Sequence, residues 1–184
     1  FIRENHMKFT YSIPTKILFG PGSFNDLATT PLPGKKAFVV ITAGKSMRAN
    51  GYLDRLIDML DKQGIGHALF DKILPNPVLR HVHEGAALAR EQGCDFVIGL
   101  GGGSSIDSAK SIAVMAKNPG DYWDYISGGS GKGQPLVNGA LPIVAIATTA
   151  GTGTKADPRT VITKEDTNEK IGFGCSETFP VLSV

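Results

Sequence analysis

Two short stretches of the chain hold the residue types from which a phosphate-binding site is built. The apolar run Phe96–Leu100 leads into Gly101-Gly102-Gly103-Ser104-Ser105-Ile106-Asp107, and a helical pattern follows. Glycines there let a ligand approach the backbone closely, and the first N–H groups of a helix lack internal partners. Such an N-terminus suits a phosphate or pyrophosphate. The competing reading is a plain tight turn in which Asp107 completes a capping arrangement. The second stretch, Thr148-Thr149-Ala150-Gly151-Thr152-Gly153-Thr154, follows the apolar run ending at Ala147. Hydroxyls and free amides together hold phosphate or ribose oxygens, whereas an ST-turn loop needs no ligand at all. Neither stretch is a standard fingerprint. Ser104 breaks GxGxxG. Gly128–Gly133 is no Walker A loop, because no Gly stands five before Gly131 and Gly133 replaces the Ser/Thr after Lys132.

Both loops need strands ahead of them, and the hydrophobic pattern supplies these. Lys36–Ile41 after Pro33-Gly34, Ala68–Phe70, Phe96–Leu100 and Leu141–Ala147 read as buried parallel strands. Between them, Leu53, Leu56, Ile57 and Leu60 fall at i, i+3, i+4 and i+7 of a helix capped by Gly64. Leu79–Gln92, stopped by Gly93, and Ser105–Lys117 are the other helices, and a short one starts near Ser23. This alternation predicts an α/β fold, a doubly wound, Rossmann-like and mainly parallel sheet with helices on both faces. A small N-terminal hairpin is expected from Phe9–Tyr11 and Lys16–Phe19, and two late β pieces from Thr160–Thr163 and Lys170–Phe173. Gly128–Gln134 is expected to be an exposed, mobile loop. In such a sheet ligands bind at the carboxyl edge, and both candidate loops lie there. Together they point to a nucleotide cofactor.

Composition narrows the classes. The 184 residues are 41% hydrophobic and 20% charged, enough for one core. The net charge of +2 is spread out, against a nucleic-acid partner. No apolar run approaches membrane-spanning length, so no membrane partner is expected. Two cysteines without zinc spacing fit a reducing, cytoplasmic setting. His81, His83 and Glu84 suggest a metal cluster only superficially, since helix residues two apart point about 200° away from each other; a solvated face is expected. Asp121–Tyr125 reads as loop packing and Cys94 as a buried thiol. No metal site and no catalytic group is assigned.

The order of GGGSSIDSAK (Gly101–Lys110), TTAGTGT (Thr148–Thr154), PNP (Pro75–Pro77) and KILFGPGS (Lys16–Ser23) resembles that of the iron-containing (group III) alcohol dehydrogenases over about residues 8–184. The resemblance implies an α/β dinucleotide-binding domain followed, in the family, by a helical domain that carries Fe²⁺ on an Asp and three His. Those ligands lie beyond this chain's residues. Carried over by position, Gly101, Gly102, Gly103, Ser104 and Asp107 surround the pyrophosphate, Thr148, Thr149 and Thr152 approach the nicotinamide side, and Asn76 and Lys170 lie against the cofactor. Two departures add positive charge: Lys155 stands where the family usually has Glu, and Arg159 where it often has an apolar or aromatic residue.

After Lys36–Ile41 an NAD site usually places an acid for the ribose hydroxyls. This chain has Thr42-Ala43-Gly44-Lys45-Ser46, so Gly44, Lys45 and Ser46 favour NADP over NAD. The expected activity is hydride transfer between an alcohol or aldehyde and NAD(P), this chain supplying the cofactor half. A non-catalytic NAD(P)-binding module and a glycerol or polyol dehydrogenase remain alternatives. Phe1–His6 reads as a cloning remnant ahead of Met7, leaving residues 7–184 as the domain. Pro180–Val184 reads as a strand just beginning, the pattern of a piece of a longer protein. The face left for a second domain predicts a homo-oligomer.

Overall fold

The computed structural model describes residues 10 and 12–184. In chain order the elements are strands β1 (Lys16–Ile17) and β2 (Lys36–Thr42), helices α1 (Ser46–Ala49) and α2 (Tyr52–Lys62), and strand β3 (Gly66–Ile73). Helix α3 (Leu79–Glu91), strand β4 (Phe96–Gly101), helix α4 (Gly103–Lys117) and strand β5 (Ile143–Ala147) follow. The last are β6 (Thr160–Lys164), β7 (Glu169–Phe173) and β8 (Leu182–Ser183). A six-stranded sheet of order β1-β8-β5-β4-β2-β3 is parallel at every pairing. No described helix is long and apolar enough to cross a membrane.

Alternation along the strands builds two cores. Phe38, Val40 and Val97 face α3 and α4, which add Val82, Ala86, Ala109 and Ile112. Ala37, Val39, Ile41, Ile98 and Val144 face the other way, onto Met47, Leu53, Leu56 and Leu60 of α1 and α2. Because both faces of β4 are covered, all six of its residues are buried, and its sequence is a continuous apolar run rather than an alternating one. The helices end as their glycines direct. Gly64 (φ +69) donates to Asp61 O and Ile65 to Leu60 O; Gly93 (φ +63) repeats the pattern with Arg90 O, and Cys94 with Ala89 O. These are Schellman caps, and they turn each chain end back into the next strand.

Three expectations change in detail. Lys16–Ile17 is a strand, but its described partner is Leu182–Ser183, in parallel. The other expected hairpin arm, Phe9–Tyr11, lies apart from Thr10 outside the described residues, as does Phe1–His6. The Gly128–Gln134 loop is exposed yet anchored: Ser130 N donates to Glu169 Oε1 at 2.7 Å, and Lys132 pairs with Asp124 at 2.8 Å. The late β pieces form an antiparallel ribbon, β6 with β7, set beside α4 and turned at Asn168 (φ +55).

His81 and His83 separate as helical geometry requires, but the expected solvated face does not extend to His81, whose side of α3 packs on the sheet. His81 is buried edge-on to Phe70, whereas His83 faces Asp121, and Glu84 pairs with Lys72. Tyr122, Trp123 and Tyr125 are buried in a short 3₁₀ turn, and Cys94 is buried against Ala37 O. His81 Nδ1 has no partner, and burial, helped by Arg80, lowers the imidazole's pKa. In the unfolded chain His81 gains a proton below about pH 6.5, which the folded chain resists. The stability this confers is present above that pH and lost as pH falls toward the lower folded value. Urea unfolding at pH 7.5 and 5.5 is expected to show a larger loss in the wild type than in His81→Leu. Equal losses would overturn this reading.

Candidate functional site

The strand order places a topological switch between β2 and β4: the chain goes from β2 out to β3, then crosses to β4 on the other side of β2. A crevice opens outside the carboxyl ends of strands at such a point. Gly44, Lys45 and Ser46 lie on its β2 side and Gly101–Ser104 on its β4 side. At Gly101 (φ +135) a Cβ would stand 2.8 Å from Ser105 Oγ, with Met47 Sδ at 3.9 Å. At Gly102 it would meet Thr149 Oγ1 at 3.2 Å. Any larger residue would thus fill the space between the two loops, which Thr148 N also joins by donating to Gly101 O at 3.0 Å.

Gly102 caps α4 without a side chain, and the amides of Gly103 and Ser104 donate to no acceptor among the described residues. This open N-terminus and its dipole face a small hollow bordered by Thr149, Thr152, Thr154 and Lys155. The hollow itself has a volume of about 20 Å³, so an anion drawn to the free amides would sit at its mouth. Two larger cavities flank it. One, of about 440 Å³, gathers Asn76, Ser104, Asp107, Thr152, Arg159 and Lys170. The other, of about 410 Å³, is bordered by Thr148 and Thr149 with Phe24, Tyr52, Ile146 and Val184. Within the first, Lys170 Nζ donates to Asn76 Oδ1 at 3.2 Å, and Ser104 Oγ donates to Pro75 O at 2.5 Å. Gly44, Lys45 and Ser46 border none of these three spaces.

Asp107 turns inward. Its Oδ1 accepts from Thr154 Oγ1 at 2.6 Å and its Oδ2 from Val161 N at 3.0 Å. Burial raises its pKa, opposed by those two hydrogen bonds and by Lys110. Its carboxylate therefore shapes the second loop and presents little to a ligand.

Sequence reasoning passed over Lys110. Its side chain is fully buried, and Nζ donates to the carbonyls of Thr154 (2.6 Å), Asp157 (2.7 Å) and Arg159 (2.8 Å). Thr154 Oγ1 lies at 2.8 Å and Asp157 Oδ1 at 3.5 Å. Burial lowers the ammonium's pKa, while Asp157 and Asp107 push it back up. The available signal is a lysine between Ala109 and Ser111, within the stretch Ser108–Ala116 that otherwise holds only small and apolar residues. Among the described residues no three His, Cys, Asp or Glu side chains gather to hold a metal ion.

Lys110→Met would leave three carbonyls without their donor and free the loop that walls the hollow. Breaking such a buried charge arrangement costs about 3 kcal/mol, readable as a lower urea midpoint. A variant within about 1 kcal/mol of wild type, a small part of the expected loss, would contradict the clamp.

The sequence model of the family described as iron-containing alcohol dehydrogenase matches residues 14–184. The chain is 38% identical over 176 residues to a probable NADH-dependent butanol dehydrogenase 1 of Bacillus subtilis, covering 96% of this chain and 44% of that protein. It is 32% identical over 182 residues to the 1,3-propanediol dehydrogenase of Klebsiella pneumoniae, covering 98% and 46%. Among solved structures, NADH-dependent butanol dehydrogenase A of Thermotoga maritima superposes with a TM-score of 0.86 at 35% identity, covering 96% of this chain and 43% of that one. The archaeal halo-thermophilic Red Sea brine pool alcohol dehydrogenase ADH/D1 gives 0.87 at 36%, covering 96% and 45%. The chain thus spans a little under half the length of the relatives it matches.

Proposed function

The chain belongs to the iron-containing alcohol dehydrogenase family, and from that premise we propose that residues 7–184 form the cofactor-binding half of an NAD(P)-dependent alcohol dehydrogenase. The observation that carries this reading is the meeting of two loops at the switch point, where Gly102 lacks the Cβ that would crowd Thr149. In the proposed complex the free amides of Gly103 and Ser104 hold the cofactor's diphosphate, and the α4 dipole complements its charge. Gly101 and Gly102 admit it to the backbone. Thr149 and Thr152 offer hydroxyls on one side, Asn76 and Lys170 on the other, and Thr148 extends toward the nicotinamide side. Asp107 acts through Thr154 and Val161, whose positions it sets.

When bound, a nicotinamide accepts or donates the hydride of an alcohol–aldehyde pair. This chain's own work is binding and orientation. The family resemblance implies that the iron ligands belong to residues other than these. Butanol and propanediol appear in the names of relatives. A small alcohol or aldehyde is the proposed substrate class here as well.

The preference for NADP rests on the turn after β2. No carboxylate lies within Thr42–Ser46 to repel a 2′-phosphate, and Lys45 and Ser46 offer a cation and a hydroxyl. Asp71, on the neighbouring strand, is engaged by Arg48 at 2.6 Å. The names of the butanol dehydrogenase relatives specify NADH, so the preference is a property proposed for this chain's turn. Calorimetric titration of the 184-residue chain is expected to show saturable binding of both dinucleotides, with NADP⁺ the tighter. Lys45→Ala should cost NADP⁺ about tenfold, or 1.4 kcal/mol, and leave NAD⁺ little changed. Equal affinities in the wild type would contradict the NADP assignment. Absence of binding for both would contradict the proposed function.

A further inference from the structure

The Gly128–Gln134 stretch is folded more tightly than its composition implies, and it closes around one carboxylate. Gly131 N donates to Gly128 O at 2.9 Å, Gly133 N to Ile126 O at 2.8 Å and Gln134 N to Asp124 O at 2.9 Å, so the loop turns back on itself. At its tip Ser130 gives both of its donors to Glu169. The amide reaches Oε1 at 2.7 Å, and the hydroxyl reaches Oε2. Thr167 Oγ1 adds a bond to Oε2 at 2.6 Å. Hydrogen bonds from Ser130 and Thr167 hold the Glu169 carboxyl below the usual carboxylate range. Gly129 (φ +51) makes this grip possible, since a Cβ there would overlap Glu169 Oε1 and stand 2.6 Å from Ile171 Cδ1.

Glu169 is the first residue of β7, and Lys170 follows it on the opposite face of the ribbon, as strand alternation requires. Across the ribbon Lys170 pairs with Thr163, whose amide donates to Pro77 O at 2.8 Å. That tie brings the ribbon against the turn carrying Asn76, and Asn76 Oδ1 accepts from Lys170 Nζ at 3.2 Å. Lys170 and Asn76 both border the cavity of about 440 Å³, whereas no residue of Gly128–Gln134 does. A lysine ammonium rides on a flexible four-carbon stem, so where it stands depends on how firmly its backbone is held. Pro77 holds the β6 strand of the ribbon. The bonds on Glu169 hold the β7 strand.

We infer that Glu169, gripped by the Gly128–Gln134 loop, is a positioning residue for the cofactor: it fixes the start of β7 and so aims Lys170 beside Asn76 in the cavity. That the dinucleotide is what Lys170 meets there rests on the function proposed above. The loop acts at one remove, through the backbone of the residue next to the one it holds.

Two readouts separate the positioning of Lys170 from the identity of the ligand. The first needs no cofactor: the Asn76 side-chain amide signal in ¹⁵N-resolved NMR of the 184-residue chain reports the Lys170 contact. Lys170→Ala sets the position of the released amide. Glu169→Ala, and Gly129→Ala acting from the loop, are expected to move the signal most of the way there. Glu169→Gln, which keeps an acceptor for Ser130, should move it only part of the way. Glu169 lies outside both cores, so its variants keep the fold. The second readout is NADP⁺ affinity by calorimetry. Glu169→Ala and Lys170→Ala should each weaken it about threefold, the scale of one exposed charge contact, and the double variant no further than Lys170→Ala alone. An Asn76 signal that stays in place in Glu169→Ala would overturn the inference, and so would losses of affinity that add. A chain that binds neither dinucleotide while the Asn76 signal moves as expected would sink the proposed function and leave Glu169 as the residue that positions Lys170.

Discussion

A buried ammonium must be surrounded by oxygen, and at Lys110 that requirement organises the carboxyl edge of the sheet. Leaving the charge uncompensated in the interior would cost far more than the fold's margin of stability. The carbonyls of Thr154, Asp157 and Arg159 are therefore drawn onto one atom. One turn earlier on the same helix, Asp107 takes the Thr154 hydroxyl and the Val161 amide. Side chains at i and i+3 lie on one helical face, so the two charges grip the second loop as a unit. That loop walls the α4 hollow together with Lys155, and the chain beyond it brings Arg159 to the neighbouring cavity.

The gripping helix is also the one whose N-terminus is open. Helix α4 is buried along most of its length, against β4, α3 and the β6–β7 ribbon. The Asp107–Lys110 clamp, the first turn of α4 and the ribbon thus pack against one another. A shift of the ribbon reaches the hollow through Thr154 and the cavity through Arg159 and Lys170. The Thr160 hydroxyl continues the network inward, bonded to Asp107 O at 3.0 Å and to Ser111 Oγ at 2.8 Å, and Ser111 in turn meets the Tyr122 hydroxyl at 2.9 Å. Burial raises the Tyr122 pKa, which keeps its proton available for that network.

Much of the frame was legible because local chemistry determines it. Gly64 and Gly93 mark helix ends that only a positive φ closes, and the continuous apolar run of β4 reads as a strand covered on both faces. The glycine loop and the threonine loop were legible as a pair, since each follows such a strand. What was not legible depends on contacts distant in sequence. The partner of Lys16–Ile17 is supplied by Leu182–Ser183, across nearly the whole chain. The inward turn of Asp107 and the role of Lys110 follow from where Thr154–Val161 returns to α4, which no local pattern encodes. Thr148 and Thr149 both border the cavity of about 410 Å³, and Thr149 borders the α4 hollow as well, a placement set by where the loop returns to α4. The Gly128–Gln134 stretch has a flexible composition, yet Glu169 and Asp124 anchor it from outside.

One clamped pair of loops walls the hollow at the N-terminus of α4, and the proposed function places the dinucleotide's phosphates there. Amide hydrogen exchange of the 184-residue chain with and without NADP⁺, resolved by residue, addresses it most directly. The account predicts added protection at Gly103 and Ser104 and across Thr149–Thr154, with the amide of Val161, already held by Asp107, protected in both states. Protection elsewhere, with Gly103 and Ser104 unchanged, would contradict it.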